Sequence, residues 1–221
     1  MTTLTQAQLK AKLLGSKTIE EDGHGLKVAE LADGSFLKLF RRKRLFSSAL
    51  WSPPSVRFAR NAERLIELGI PAPVTIELIV VPELGLNGLQ YEPVAGDTLR
   101  NYWRELNQDQ LAEQLFKFGV FLGCVHKSGV YFRSLHLGNV LSMPDGQYAL
   151  IDVSDMKIFS RPLSAWQRAR NVQHLMRYQE DATWLANEHL VTLLRGYAQA
   201  TGESAAKQLA QAFAKHKQRA E

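Results

Sequence analysis

Residues Gly129 to Asp155, GVYFRSLHLGNVLSMPDGQYALIDVSD, constrain the fold more tightly than any other stretch of the chain. Two apolar, β-prone pieces, Asn139 to Met143 and Tyr148 to Val153, flank Pro144-Asp145-Gly146. That is a strong turn signal, and the pattern predicts a hairpin. A loop ending in Leu137-Gly138-Asn139 leads into the first piece, and Ile151-Asp152 lies at the end of the second. The hairpin therefore carries an amide and a carboxylate to neighbouring strand ends. Oxygen donors converging in this way suit a hard divalent cation that keeps waters or phosphate oxygens in its shell.

Upstream, Thr18 to Phe40 reads as a β-meander, with turns at Asp22-Gly23-His24-Gly25 and Ala32-Asp33-Gly34. Strand alternation in Phe36-Leu37-Lys38-Leu39-Phe40 puts Phe36, Lys38 and Phe40 on one face and the leucines on the other. A lysine between two phenylalanines is costly unless it pairs, binds an anion or reaches water. Gly-His-Gly alone reads as a hairpin turn. Placed before a strand lysine, Gly23 and Gly25 also suit a loop whose backbone N–H groups approach phosphate. Met1 to Lys17 reads as a short polar helix or a loose arm.

Val56 to Leu68 has apolar residues at helical spacing (Phe58, Ala62, Leu65, Ile66), and Gly69-Ile70-Pro71 stops it. Val74 to Val81 and Gly88 to Tyr91 read as strands, and Gln90 to Gly96 as a connector between two lobes. Asp109 to Lys127 is an amphipathic core helix, in which Cys124 reads as a buried, inert thiol. His126 is placed to bond the loop that follows. Beyond residue 156 the chain looks helical throughout: one helix from Ser164 with Asn171, Leu175 and Tyr178 following, then His189 to Thr201 and Glu203 to Ala220, broken at Gly202.

The 221 residues are 45% hydrophobic and 22% charged, which fits a globular chain with a sizeable core. No run approaches the roughly 18 apolar residues of a membrane-spanning helix. The amino terminus lacks a continuous apolar segment, so no secretory signal is expected there. A single cysteine excludes a disulfide within the chain and fits a reducing compartment, so a cytoplasmic location is expected. The net charge of +5 is uneven, with a block at Arg41-Arg42-Lys43-Arg44 and a cluster from Lys207 to Arg219. Basic patches attract phosphates on nucleic acid, lipid or sugar. Arg41 to Pro54, with Leu45, Phe46, Leu50 and Trp51, reads either as a packed loop or as an acceptor or membrane-surface contact. No recognition-helix pattern or aromatic-rich strand face supports specific nucleic-acid binding.

The stretch from Phe132 to Val153 resembles the catalytic and metal-binding segments of the protein-kinase-like fold. The likeness is to its compact form in bacterial sugar and lipopolysaccharide-core (heptose and Kdo) kinases. Those commonly read His-x-Asp-Leu-His-x-x-Asn, a hairpin, then Ile-Asp-Phe. The matching residues here are Phe132, Arg133, Ser134, Leu135, His136, Leu137, Gly138 and Asn139, then Ile151-Asp152-Val153. The resemblance implies an α+β, two-lobed fold: a small antiparallel β lobe with one helix over residues 1–92, and a larger, mainly helical lobe over 93–221. It implies ATP and Mg²⁺ as cofactors, with Asn139 and Asp152 as metal ligands. Lys38, Gly23 and Gly25 would lie on the nucleotide phosphates, and Glu92 to Val94 on the base. It implies a lipopolysaccharide-core sugar or another phosphorylated acceptor, and a peripheral place at the inner membrane through Arg41 to Arg44.

Three positions depart from that pattern. Ser134 stands where the catalytic aspartate is expected, with His136 and Asp155 as alternative proton acceptors. Phe58 stands where a helix glutamate should pair with the strand lysine; Glu63 and Glu67 lie one or two turns later, and Glu63 is taken as the substitute. Asn171, in Arg168-x-x-Asn171, stands where a bracing aspartate is expected. Loss of a positioned base costs about 10²- to 10⁴-fold in rate, yet phosphoryl transfer rests mainly on positioning and charge neutralisation. Two readings result: a slow or atypical phosphotransferase using Lys38, Ser134 and Asp152, or a nucleotide-binding pseudokinase that acts as a regulatory or partner-binding module.

Overall fold

Short turns and alternating apolar residues force the first third of the chain into a sheet. In the computed structural model, which describes residues 1–41, 53–186 and 189–220 with side chains through Lys215, β2 (Lys17–Asp22), β3 (Gly25–Glu30) and β4 (Phe36–Arg41) form the expected meander. β5 (Val74–Val81) and β6 (Leu86–Glu92) complete its antiparallel part, and β1 (Thr2–Thr3) adds a parallel edge against Ile79 and Val80. The order is β1-β5-β6-β4-β3-β2. The basic block beyond Arg41, with Leu45, Phe46, Leu50 and Trp51, lies outside the described residues.

Each face of this sheet carries a helix. α1 (Gln6–Lys12) begins in a capping box, with Gln8 N donating to Thr5 Oγ1 and Thr5 N donating to Gln8 Oε1. Its Leu9 packs with Leu31, Leu37, Leu39, Ile79, Val81 and Leu86. The first residues are therefore part of the packed unit, not a loose arm, and this unit has two helices where one is expected. α2 (Pro54–Glu67) buries Phe58, Ala62 and Leu65 against the face that carries Lys38. Gly69 (φ +73°) and the Ile70 N–H bond to Leu65 O end it in a Schellman turn.

By its contacts the chain divides into two compact units, Met1–Val94 with Val153–Asp155, and Ala95–Asp152 with Met156–Glu221. The second unit is mainly helical: α3 (Leu99–Arg104), α4 (Gln108–Lys127), α5 (Ala165–Leu175), α6 (Gln179–Leu185), α7 (Leu190–Thr201) and α8 (Glu203–Ala220). β7 (Asp97–Thr98), β9 (Val140–Ser142) and β10 (Tyr148–Leu150) form one small sheet, and β8 (Val130–Phe132) pairs with β11 (Met156–Ile158). The chain after residue 156 thus opens with a strand, because the apolar Met156-Lys157-Ile158 alternation has β8 to pair with. The helix expected from Ser164 ends at Leu175, and Tyr178 caps a separate α6. Together the two units make the α+β architecture expected from the sequence.

α4 and α7 meet through glycines. A Cβ on Gly119 would lie 2.1 Å from Leu193 O, and one on Gly196 would lie 2.0 Å from Phe116 O. Cys124, on the same helix, is exposed and not buried. The nearly unbroken apolar run of α4 hides its phase, and the glycine stripe, not the cysteine, faces the partner helix. Gly119→Ala should destabilise the protein by about 1–3 kcal/mol, lowering the melting temperature by several degrees at this size. Calorimetry against a control at an exposed site of α7, such as Gln199→Ala, checks this; an unchanged melting temperature in Gly119→Ala would show that the helices have room to part.

Candidate functional site

The hairpin forms as its turn chemistry demands. Tyr148, Ala149 and Leu150 pair with Ser142, Leu141 and Val140. Met143 N donates to Gln147 O at 2.9 Å, Asp145 Oδ1 accepts from Gln147 N, and Gly146 sits at φ +83°. One further rung, Ile151 N to Asn139 O at 3.1 Å, carries the pairing past the strands. Asp152 is the next residue. It adopts φ 54°, ψ 44°, and among the described residues it alone has positive φ without being glycine. Aspartate tolerates that region better than most residues, but still at some cost. Such an outlier directs attention to function.

The loop before the hairpin is held from several directions. Leu135 and Leu137 are buried. Asn139 N donates to His136 O, and Asn139 Nδ2 donates to Ser134 O at 2.9 Å. The amide nitrogen is thereby committed to the loop, which fixes Oδ1 as the side-chain atom available to a cation. Ser134 is half-buried in the turn that begins at Phe132. Asn171 on α5 donates to Phe132 O at 2.7 Å, so an amide does brace the loop.

A stronger brace gives no sign of itself in the sequence. Asp181, with no exposed surface, accepts from Leu137 N at 3.0 Å and pairs in bidentate fashion with Arg100, at 2.7 and 3.0 Å. The Arg100 guanidinium lies 4.5 Å above the Tyr178 ring, and His136 meets the same ring edge-on at 4.9 Å. Burial, then the Arg100 charge, holds His136 below the ordinary histidine range, against the opposing pull of Asp181 and Asp152. The His136 ring is accordingly neutral near neutral pH. Asp181 and Arg100 are 81 residues apart, and in sequence Asp181 looks only like an acid in the first turn of a helix.

In the first unit, Lys38 is 9% exposed, with its ammonium 5.8 Å from the Phe40 ring centroid and 5.9 Å from that of Phe58. Glu63 stands on the exposed side of α2, away from the buried Phe58, Asn61, Ala62 and Leu65. Asn61 Nδ2 donates to Val153 O at 2.7 Å and Arg57 Nε to Ser154 O at 3.2 Å, so α2 grips the residues that follow Asp152. Asp155 ends that short 3₁₀ turn. Gly23 has open space around it, whereas Gly25 (φ +110°) lies beside the Arg41 guanidinium in a backbone conformation that L side chains rarely adopt. Glu92 is exposed at the end of β6, and Val94 is half-buried.

Two oxygen donors, the Asn139 amide and the Asp152 carboxylate, fit magnesium, which retains waters and phosphate oxygens. Among the described residues no group of three His, Cys, Asp or Glu gathers as a fuller metal cage. Among them, too, no helix is long and apolar enough to cross a membrane.

His126 bonds Tyr197 through Nδ1 at 2.9 Å, on the side of α4 that faces α7. Burial, reinforced by the Arg168 charge and opposed by the Asn171 side chain, pulls His126 down to about 3. The folded state therefore favours the neutral ring. Its contribution to stability is complete above about pH 6.5 and is lost as pH falls toward about 3, with a slope of up to about 1.4 kcal/mol per pH unit. Urea unfolding at pH 7.5 and pH 5 should show wild type losing more stability than His126→Gln; equal losses would mean that His126 is not held neutral.

Compared by sequence, the chain matches no known protein family and no curated protein. Compared by structure, it is similar to the solved kinase PK-1 of the Cydia pomonella granulovirus. The two share 12% identity over 94% of this chain and 90% of that one, with a TM-score of 0.43.

Proposed function

We propose that the protein is an ATP- and magnesium-dependent phosphotransferase of the protein-kinase type, slow or atypical in its chemistry. The observation that carries this reading is Asp152, bent into the left-handed region one residue past the rung that ties Ile151 to Asn139. An aspartate held in place at a backbone cost, beside an oriented amide, supplies two oxygen donors of the kind that a hard cation bridging phosphates takes. Asn139 and Asp152 would hold magnesium, which when bound neutralises charge on the transferred phosphoryl group.

The chain's own residues take the remaining roles. Lys38 would bind the nucleotide phosphates, Gly23 and Gly25 would cover them, and the backbone from Glu92 to Val94 would meet the base. Ser134 would hydrogen-bond the acceptor hydroxyl without removing its proton, which would leave with solvent or the transferred phosphoryl group, so transfer would be slow. The neutral ring of His136 would be the alternative base that the loop offers. Glu63 would act only at a distance, as an exposed carboxylate. We assign the nucleotide lobe to residues 1–92 and the acceptor lobe to 93–221. The acceptor class is a phosphorylated sugar such as an inner-core lipopolysaccharide heptose or Kdo, met in the cytoplasm at the inner membrane through the basic block that starts at Arg41.

A second reading, a nucleotide-binding pseudokinase with a regulatory or partner-binding role, is favoured by the hydroxyl of Ser134 at the base position and by Phe58 facing Lys38.

Melting with ADP or ATP and Mg²⁺ tests the nucleotide reading. At 100 times the dissociation constant a ligand adds about 2.7 kcal/mol, a rise of several degrees. Asp152→Ala should remove the magnesium-dependent part and Lys38→Ala most of the rest. No rise at millimolar nucleotide would end both readings. Ser134→Asp separates them: it should raise phosphate transfer or ATP hydrolysis by roughly tenfold or more in a slow enzyme, and leave a pseudokinase silent.

A further inference from the structure

α2 has two separate jobs in the first unit. Its fastening comes from Asn61 and Arg57, whose side chains donate to the carbonyls of Val153 and Ser154. Its contact with Lys38 comes from a different residue, Phe58, which is 1% exposed and presents its ring to the ammonium at 5.9 Å. Phe40 supplies a second ring at 5.8 Å. Phe58 is itself held by Tyr91, with ring centroids 5.3 Å apart, and Tyr91 by Phe36 at 5.9 Å. The rings are therefore packed in place whether or not the lysine is there. An ammonium within about 6 Å of two ring centroids is attracted by both quadrupoles.

We propose that Phe58, with Phe40, is a positioning residue that holds the Lys38 ammonium by cation–π attraction for an anionic polyphosphate. The inference rests on the nucleotide reading above and adds to it a pair of contacts that restrain its lysine. A ring restrains the cation through its quadrupole and carries no net charge of its own.

The test is a fluorination series at Phe58 (one, two and three fluorines), together with Phe58→Leu. Fluorine drains the ring quadrupole while hardly changing its shape. Two readouts are taken on the full chain: the ring-current shift of the Lys38 ε-methylene protons, assigned by Lys38→Arg, and the affinity for ADP and for inorganic tripolyphosphate. The ε-methylene signal should lie upfield of the other lysines and move downfield in Phe58→Leu. Affinity for both probes should fall stepwise with fluorination, reaching about two- to thirtyfold at the end of the series. A flat affinity series, or an ε-methylene shift indifferent to Phe58, overturns the proposal. Tripolyphosphate binding that follows the series while ADP fails to bind would defeat the nucleotide reading alone; binding of neither probe would defeat both.

Discussion

A carboxylate with no access to water organises the second unit. Asp181 can stay buried only because Arg100 meets it with two hydrogen bonds and Leu137 offers it a backbone N–H. An isolated buried charge of this kind would be strongly unfavourable. The need for compensation therefore runs in reverse as well: the carboxylate fixes where α3 and the loop before Asn139 must be. Arg100 in turn lies against Tyr178, which carries the His136 ring. The loop that orients Asn139 is thus held by one ionic contact, reinforced by the amide of Asn171 on Phe132.

Much of the fold around that brace was legible in the sequence, and the physical reason is locality. The hairpin around Pro144-Asp145-Gly146 is written in turn residues, the meander in alternation, and the stop of α2 in Gly69-Ile70-Pro71; each depends on neighbours within a few positions. The face assignment of Phe36, Lys38 and Phe40 follows from a period of two and recurs in the ring contacts of Lys38. What remained hidden depends on distant partners. Neither the Arg100–Asp181 pair nor the hold of Asn61 on Val153 leaves a trace within any short window. The same limit explains Cys124, whose helix is apolar on most sides, and β11, whose three residues form a strand only because β8 is beside them.

The site positions divide along the same line. Asn139 and Asp152 follow from the hairpin, since strand ends determine where both fall. The unusual conformation of Asp152 does not, because an Ile-Asp-Val sequence carries no sign of a left-handed backbone. Phe58 was legible as an anomaly, an apolar residue where a carboxylate was sought, but its partner rings emerge only once the sheet is folded. Asn171 likewise stands where an acid was expected and bonds the loop as a donor to a carbonyl, a role that an aspartate could not fill when ionised.

The glycines of α4 and α7 have a mechanical consequence. Where Gly119 and Gly196 meet Leu193 and Phe116, backbone lies against backbone with no side chain between them. Helices that touch through long side chains can slide by switching rotamers, absorbing a displacement within the contact. At these two glycines the pair has no such slack. A displacement of α4 at this crossing would meet the α7 backbone directly, and no change of rotamer there could absorb it.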